Sequence, residues 1–242
     1  MKILILGGTG EARELANRLV ALGHDVTTSL AGRTADPKLP AGALRMGKFG
    51  GIPGLAAYLR AAGIERLVDA THPYAGQISV NAVAASQQTG IPLVRYMRPA
   101  WEQAVGDDWL TVENTTEAAA VLPASARVML TTGHSGLDHF LQRDDCHFIV
   151  RTIEAPDKPL PPHATPLQTR PPYWLGSELE LLEREKITHL VTKNSGGAQT
   201  SAKLEAARKL GVKVIMIARP AYGPAREVDT LDAAIEALGL GG

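Results

Sequence analysis

Met1-Lys-Ile-Leu-Ile-Leu-Gly-Gly-Thr-Gly10 runs from a short apolar segment straight into a glycine turn, and Ala12, Leu15, Ala16, Leu19 and Val20 follow it at helical spacing. The pattern is strand, Gly-rich turn, amphipathic helix. Such a turn aims backbone N–H groups and the positive end of a helix dipole at one spot, where a phosphate is stabilised without side-chain charge. Gly7, Gly8, Thr9 and Gly10 are therefore candidate cofactor contacts. The dinucleotide fingerprint wants a further Gly or Ala at position 13, and Arg13 stands there instead. Glycine also closes tight strand-to-helix connections of no functional weight, so the rest of the chain must decide.

A chain of 242 residues is long enough for one large domain or two small ones. Its 25 basic and 25 acidic residues balance, so bulk charge gives no reason to expect nucleic acid or an anionic membrane as partner. About five apolar residues precede the first glycines, too few for a signal-peptide core, and no later run reaches the ~18 of a membrane span; the expectation is a cytoplasmic protein. Cys146 is the single cysteine, which excludes an internal disulfide framework and a Cys-rich metal site. It reads as a small buried hydrophobe at the start of a strand. His134, Asp138, His139 and Cys146 match no recognised zinc spacing, and no metal is expected.

Strand ends carry the remaining candidates. His24 to Leu30 reads as a strand that stops at Ala31-Gly32-Arg33-Thr34. An acidic residue at this place would bind a ribose 2′-hydroxyl, whereas an arginine accommodates a 2′-phosphate; Gly32 and Arg33 thus point to NADP rather than NAD. Ala43 to Met46 is a short strand entering the turn Gly47-Lys-Phe-Gly-Gly51, where glycines around Phe49 let backbone lie against a flat ring such as adenine, and Gly50 belongs to the same turn. Arg66 to Ala70 ends in Thr71-His-Pro-Tyr-Ala75, which places Asp69, Thr71, His72 and Tyr74 where ligands of open α/β sheets collect. Thr71 could simply cap the following helix. The next strand ends in Arg95-Tyr-Met-Arg-Pro-Ala-Trp101, whose Arg95 and Arg98 suit a large, flat, anionic ligand.

From about residue 102 the pattern restarts. Strands are expected at Trp109–Val112, Arg127–Leu130, Cys146–Arg151, His189–Thr192 and Val212–Ile217, with helices between, the one at Thr115 capped by that threonine. Gly133-His-Ser-Gly136 is not a hydrolase elbow, because G-x-S-x-G would need glycine at Leu137. Residues 152 to 173 read as a long proline-rich loop of the kind that binds or closes over ligands. Lys193-Asn-Ser-Gly-Gly197 places a cation, Ser195 and Gly196 at a strand-to-helix turn of anion-nest type. Arg219-Pro220 repeats Arg98-Pro99.

The expected architecture is α/β: two Rossmann-like, three-layer halves with mostly parallel sheets, residues 1–100 and 101–242, meeting at a cleft. Arg13, Arg33, Arg95, Arg98, His134, Lys193 and Arg219 would make that cleft basic although the chain is neutral, as a polyanionic substrate requires.

Taken together, Gly7-Gly-Thr-Gly-Glu-Ala-Arg13, Ser29-Leu-Ala-Gly-Arg33, Gly47-Lys-Phe-Gly50, Val68-Asp-Ala-Thr-His-Pro-Tyr-Ala75, Arg95-x-x-Arg-Pro-x-Trp101, Leu130-Thr-Thr-Gly133, Thr192-Lys-Asn-Ser-Gly-Gly197 and Ile217-Ala-Arg-Pro220 resemble the precorrin-6A reductase family of cobalamin biosynthesis. The resemblance spans nearly the whole chain, and Asp-Ala-Thr-His-Pro-Tyr-Ala and Lys-Asn-Ser-Gly-Gly are its specific motifs. It implies NADPH-dependent reduction of one double bond of the tetrapyrrole precorrin-6A to precorrin-6B, hydride to one ring carbon and a proton to its neighbour. It also implies transient contact with neighbouring pathway enzymes. The first half would bind NADPH, and the second would contribute to binding the carboxylate-rich ring. On this reading Arg95, Arg98, His134, Lys193, Ser195, Gly196 and Arg219 face substrate, and Asp69, His72 and Tyr74 are the candidate proton donors. His134-Ser135 departs from the Ser-Lys that the family often carries, so a titratable ring replaces a fixed cation.

Two related readings stay open beside it: a cobalt-precorrin-6A reductase of the anaerobic route, and an NADP-sensing protein without turnover. A sugar or steroid dehydrogenase is disfavoured, because no tyrosine is followed four residues later by lysine.

Overall fold

A computed structural model describes residues 1–32, 39–156 and 158–239. It separates into two compact units, Met1–Pro99 with Pro220–Gly242, and Ala100–Arg219. The first unit contains β1 (Lys2–Leu6), α1 (Gly10–Ala21), β2 (Asp25–Leu30), β3 (Ala43–Met46), α2 (Gly51–Ala61), β4 (Arg66–Asp69), α3 (Gly76–Thr89) and β5 (Leu93–Tyr96). The second contains β6 (Trp109–Val112), α4 (Thr115–Ala120), β7 (Arg127–Leu130), α5 (Leu137–Leu141), β8 (His147–Thr152), β9 (Ala164–Gln168), α6 (Leu175–Arg184), β10 (His189–Lys193), α7 (Ala202–Leu210) and β11 (Lys213–Ile217). The chain then returns to the first unit with β12 (Arg226–Val228) and α8 (Leu231–Ala237).

Each unit holds a six-stranded sheet, ordered β12-β5-β4-β1-β2-β3 in the first and β6-β11-β10-β7-β8-β9 in the second. The strand pairings are parallel throughout. Both are the doubly wound order, in which the chain steps outward from a central strand and then restarts on its other side. The sixth place in each sheet is taken from a distant part of the sequence: β12 fills it in the first unit, β6 in the second. This corrects the expected second half of 101–242. The last segment pairs with β5 and packs its Ala234, Ile235 and Leu238 against α1.

Buried parallel strands need apolar residues on both faces, and β1 shows why Lys2–Leu6 had to be nearly all aliphatic. Ile3 and Ile5 pack with α1 and α8, while Leu4 and Leu6 pack with α2 and α3. Full burial of each such side chain contributes ~1.5–3 kcal/mol. In the second unit Met129, Ile149, Leu190, Val214 and Met216 face α6 and α7, and Phe148 meets Phe140 of α5 on the opposite side. Cys146 is buried beside the start of β8, and burial pushes its thiol pKa up, as for an inert core residue.

Local differences from expectation have simple causes. The loop of residues 152–173 contains β9, an edge strand, and only an edge tolerates Pro166 within it. Asn114 rather than Thr115 caps α4, accepting from Glu117 N–H at 3.0 Å. Thr71 does not cap α3, whose N-cap position is Ala75; its hydroxyl is taken by Asp69. No described helix is long and apolar enough to cross a membrane.

Candidate functional site

In a doubly wound sheet, ligands bind where the strand order reverses, because the loops leaving the two central strands there diverge and open a crevice. In the first unit those strands are β1 and β4, and their exits are Gly7–Gly10 and Ala70–Ala75. In the second they are β7 and β10, with exits Thr131–Gly136 and Asn194–Gly197. The two specific motifs read from sequence thus occupy corresponding topological positions.

Around the first switch point the glycines are required by geometry. A Cβ on Gly7 would stand 2.9 Å from Thr28 Cγ2, and Gly8 adopts φ +120°, with open space where its side chain would be. Thr9 caps α1 by accepting from Ala12 N–H at 3.0 Å and donates its hydroxyl to the Ala70 carbonyl at 3.0 Å, tying the two exits together. Glu11 in the first helical turn is paired with Arg98 at 3.0 Å, which offsets a negative charge that would otherwise oppose a phosphate. Thr9, Glu11, Thr71, Pro73, Tyr96 and Arg98 line one depression. Burial, reinforced by Glu11, pushes the Tyr96 phenol pKa up, so it stays a neutral hydroxyl at physiological pH.

Two predicted site residues are not presented to a ligand. Arg95, expected to hold a substrate carboxylate, is 1% exposed: its Nε faces Asp69 at 3.5 Å and its Nη1 donates to Glu227 at 2.8 Å and to the Gly223 carbonyl at 3.2 Å. Asp69, expected as a proton donor, is 2% exposed, and its Oδ1 accepts from both Thr71 N–H (3.2 Å) and Thr71 Oγ–H (2.7 Å). The pair shapes the turn from beneath. His72 and Tyr74 remain on the turn itself, His72 exposed and Tyr74 half-buried, their rings 5.9 Å apart. His72 Nδ1 accepts from Tyr74 N–H at 3.3 Å, which puts the proton of a neutral ring on Nε2.

At the ends of β2 and β3, a Cβ on Gly32 would stand 3.9 Å from Met46 Cε, while Arg33 falls outside the described residues. Phe49 is half-buried, with the Arg45 guanidinium 3.7 Å from its ring centroid and Tyr58 edge-on at 5.3 Å. One face of the ring expected to meet adenine therefore carries Arg45. That arginine was missed by sequence reasoning; it donates to the Gly47 and Lys48 carbonyls at 2.6 and 2.9 Å and so holds the turn in which Gly50 lies. Arg13 is half-buried on α1.

In the second unit Lys193 Nζ donates to the Thr132 carbonyl at 2.9 Å, bridging the two exits as Thr9 does in the first. His134 is exposed, and Ser195 and Gly196 are buried in the turn beside Lys193. Asn194, between two predicted residues, is the hub that sequence reasoning passed over. Its amide accepts from Trp101 N–H at 2.8 Å and donates to the Trp101 carbonyl at 2.9 Å, and its own carbonyl accepts from Arg219 Nε at 2.7 Å. Trp101 also donates its indole N–H to the Gly197 carbonyl at 3.2 Å. A bidentate amide of this kind has no spacing signature; only its place inside a specific motif could have flagged it. Among the described residues no cluster of His, Cys, Asp or Glu could hold a metal ion.

Fold and site together define a double Rossmann-type protein with a neutral, helix-capped glycine turn at one switch point and a lysine-bearing nest at the other. The chain belongs to the precorrin-6x reductase CbiJ/CobK family, whose profile matches residues 2–239. It is 47% identical over 241 residues to the precorrin-6A reductase of Rhodococcus erythropolis, covering 98% of this chain and 97% of that one. It is 44% identical to the precorrin-6A reductase of Rhodobacter capsulatus, covering 94% and 91%. The solved structure of a CobK precorrin-6A reductase superimposes with a TM-score of 0.93 at 42% identity, over 99% of this chain and 96% of that one.

Proposed function

We propose that this chain is an NADPH-dependent precorrin-6A reductase of cobalamin biosynthesis that reduces one macrocycle double bond to give precorrin-6B. The observation that carries this reading is the coincidence, at the β1/β4 switch point, of a glycine turn fit for a phosphate and the Thr71–Ala75 motif, in a chain of this family. The fit to a dinucleotide rests on the open space beside Gly8 and on the first-turn N–H groups of α1, of which the Thr9 hydroxyl occupies only that of Ala12. NADPH, when bound, supplies the hydride. Gly7, Gly8, Thr9 and Gly10 would cradle its pyrophosphate, with Arg13 and Thr71 beside it. Gly32, Arg33, Phe49 and Gly50 would meet the adenosine end, Arg33 at the 2′-phosphate.

Arg98, His134, Lys193, Ser195, Gly196 and Arg219 are assigned to the substrate's carboxylates; Arg95 drops out of that set because its charge is buried and paired. Of the proton donors, His72 and Tyr74 remain. For His72 to act as an acid its ring must be doubly protonated, which displaces the Tyr74 N–H from Nδ1, a bond already loose at 3.3 Å.

The deciding measurement is single-turnover oxidation of NADPH on mixing with metal-free precorrin-6A. Reduction with NADPH well ahead of NADH is the expected result. Turnover only with the cobalt-loaded ring would make this an enzyme of the anaerobic route, and NADP binding without turnover would leave an NADP sensor.

A further inference from the structure

The turn that presents His72 and Tyr74 is gripped from a part of the chain remote in sequence. Pro220–Gly242 re-enters the first unit just before β12, and three of its groups converge beneath the turn. The Tyr222 hydroxyl donates to the Pro73 carbonyl at 2.7 Å. The Gly223 carbonyl and the Glu227 carboxylate accept from Arg95, whose other partner, Asp69, holds Thr71 by two hydrogen bonds. The Arg95 guanidinium also lies 5.4 Å from the Tyr222 ring centroid, and a Cβ on Gly76, just past the turn, would stand 3.5 Å from the Tyr222 ring. His72 is therefore flanked by two anchored neighbours, Thr71 by its N–H and hydroxyl, Pro73 by its carbonyl.

We propose that Tyr222 is a positioning residue for the reduction, holding the Pro73 carbonyl so that His72 and Tyr74 keep one orientation toward the bound ring. The proposal rests on the reading of that turn as the proton-donating element. The turn is closed from within by Ala75 N–H donating to the His72 carbonyl at 2.8 Å; Pro73 has no N–H, so its carbonyl is the backbone group through which that residue is held from outside the turn. Burial, with Asp69 nearby, pushes the Tyr222 phenol pKa up, so the hydroxyl remains a donor throughout the range in which the enzyme would work. Groups that act on a reacting centre lose rate steeply when displaced by an ångström, while the affinity of a distant carboxylate grip is unaffected.

Tyr222→Phe removes the hydroxyl alone. Its single-turnover reduction should slow about tenfold, with substrate KM, NADPH affinity and Tm close to wild type. Amide exchange across residues 71–77 should rise, and in a His72→Ala, Tyr74→Phe background the same substitution should have little further effect. Wild-type rate in Tyr222→Phe, or a loss that is equally large in that background, overturns the role. His72→Ala and Tyr74→Phe each reducing at wild-type rate would instead sink the donor reading, a result read from those variants alone; a slow Tyr222→Phe would then act by another route, and the positioning role would fall with it.

Discussion

In the first unit a hydroxyl crosses the switch point, from Thr9 to the Ala70 carbonyl at 3.0 Å; in the second an ammonium does, from Lys193 to the Thr132 carbonyl at 2.9 Å. Among the described residues each unit also buries one arginine at the carboxyl end of a strand against a tyrosine ring, Arg95 near Tyr222 at 5.4 Å and Arg151 near Tyr173 at 4.2 Å. The arginines differ in how their charge is met. Arg151 makes a bidentate pair with Glu178, at 2.9 and 2.7 Å, and the partners are 6% and 2% exposed. Arg95 divides itself among a loosely held Asp69, a backbone carbonyl and Glu227, which is 54% exposed. A closed pair fastens β8 to α6. A divided one links the β4 exit to β12, so its geometry is felt at the turn bearing His72.

The sharpest way to break this comparison is to remove one carboxylate from the closed pair. Glu178→Ala leaves a buried, uncompensated guanidinium and should destabilise the fold by about 3–5 kcal/mol, measured by urea unfolding, whereas replacing both partners by Met and Leu should be near neutral. A Glu178→Ala loss below about 1 kcal/mol would mean that water reaches Arg151 and the pair is not closed. Next in size is a test of the neutral switch point's ligand. If the first unit takes NADPH, Arg33→Ala should weaken NADPH binding about 10- to 100-fold while sparing NADH, the loss of a charge-assisted hydrogen bond to the 2′-phosphate. Equal weakening of both cofactors in titration calorimetry would remove Arg33 from the site.

The order of strands and helices was legible where apolar periodicity was strong, as in Lys2–Leu6, and the candidate loops were legible because glycine and proline punctuate strand ends. The exchange of sixth strands was not. Arg226–Val228 has charged residues at its first two positions and only three residues in all, so nothing in its pattern distinguishes it from a loop. Residue type alone also could not tell a ligand-binding arginine from a buried one: Arg95 and Arg98 stand three positions apart, yet Arg95 lies within β5, a strand buried on both faces, whereas Arg98 lies past its end and is 17% exposed. Arg151 gave no signal at all, since its partner Glu178 lies in a different element and the pairing is purely tertiary. Asn194 was hidden for the opposite reason, flanked by residues whose chemistry drew attention first.

A smaller effect sharpens the divided pair. Glu227→Gln removes a charge from a half-solvated partner of Arg95, and such pairs contribute about 0–1 kcal/mol, so Tm should barely move. The comparison still predicts a change in mobility at the turn, because Arg95 would then lean further on Asp69 and alter the hold on Thr71. Faster amide exchange at Thr71 with little change in unfolding free energy is the expected outcome. A stability loss as large as that of Glu178→Ala would show that the two arginines do the same work.

The smallest effect concerns acid, and it separates the two ends of one strand. β10 carries Lys193 at its carboxyl end and His189 at its amino end, where Thr188 Oγ1 lies 2.8 Å from the ring Nδ1. Burial, and then Lys213, hold the His189 pKa below its usual 6.5, with Asp108 opposing. Below that value the unfolded chain binds a proton at His189 that the folded chain does not yet accept, so stability falls as pH drops from 6.5 toward the folded pKa, and levels off beneath it. His189→Asn removes this contribution, and its Tm should decline less steeply than wild type's over the same interval. An unchanged Tm slope in His189→Asn would move the acid sensitivity of the fold to some other group.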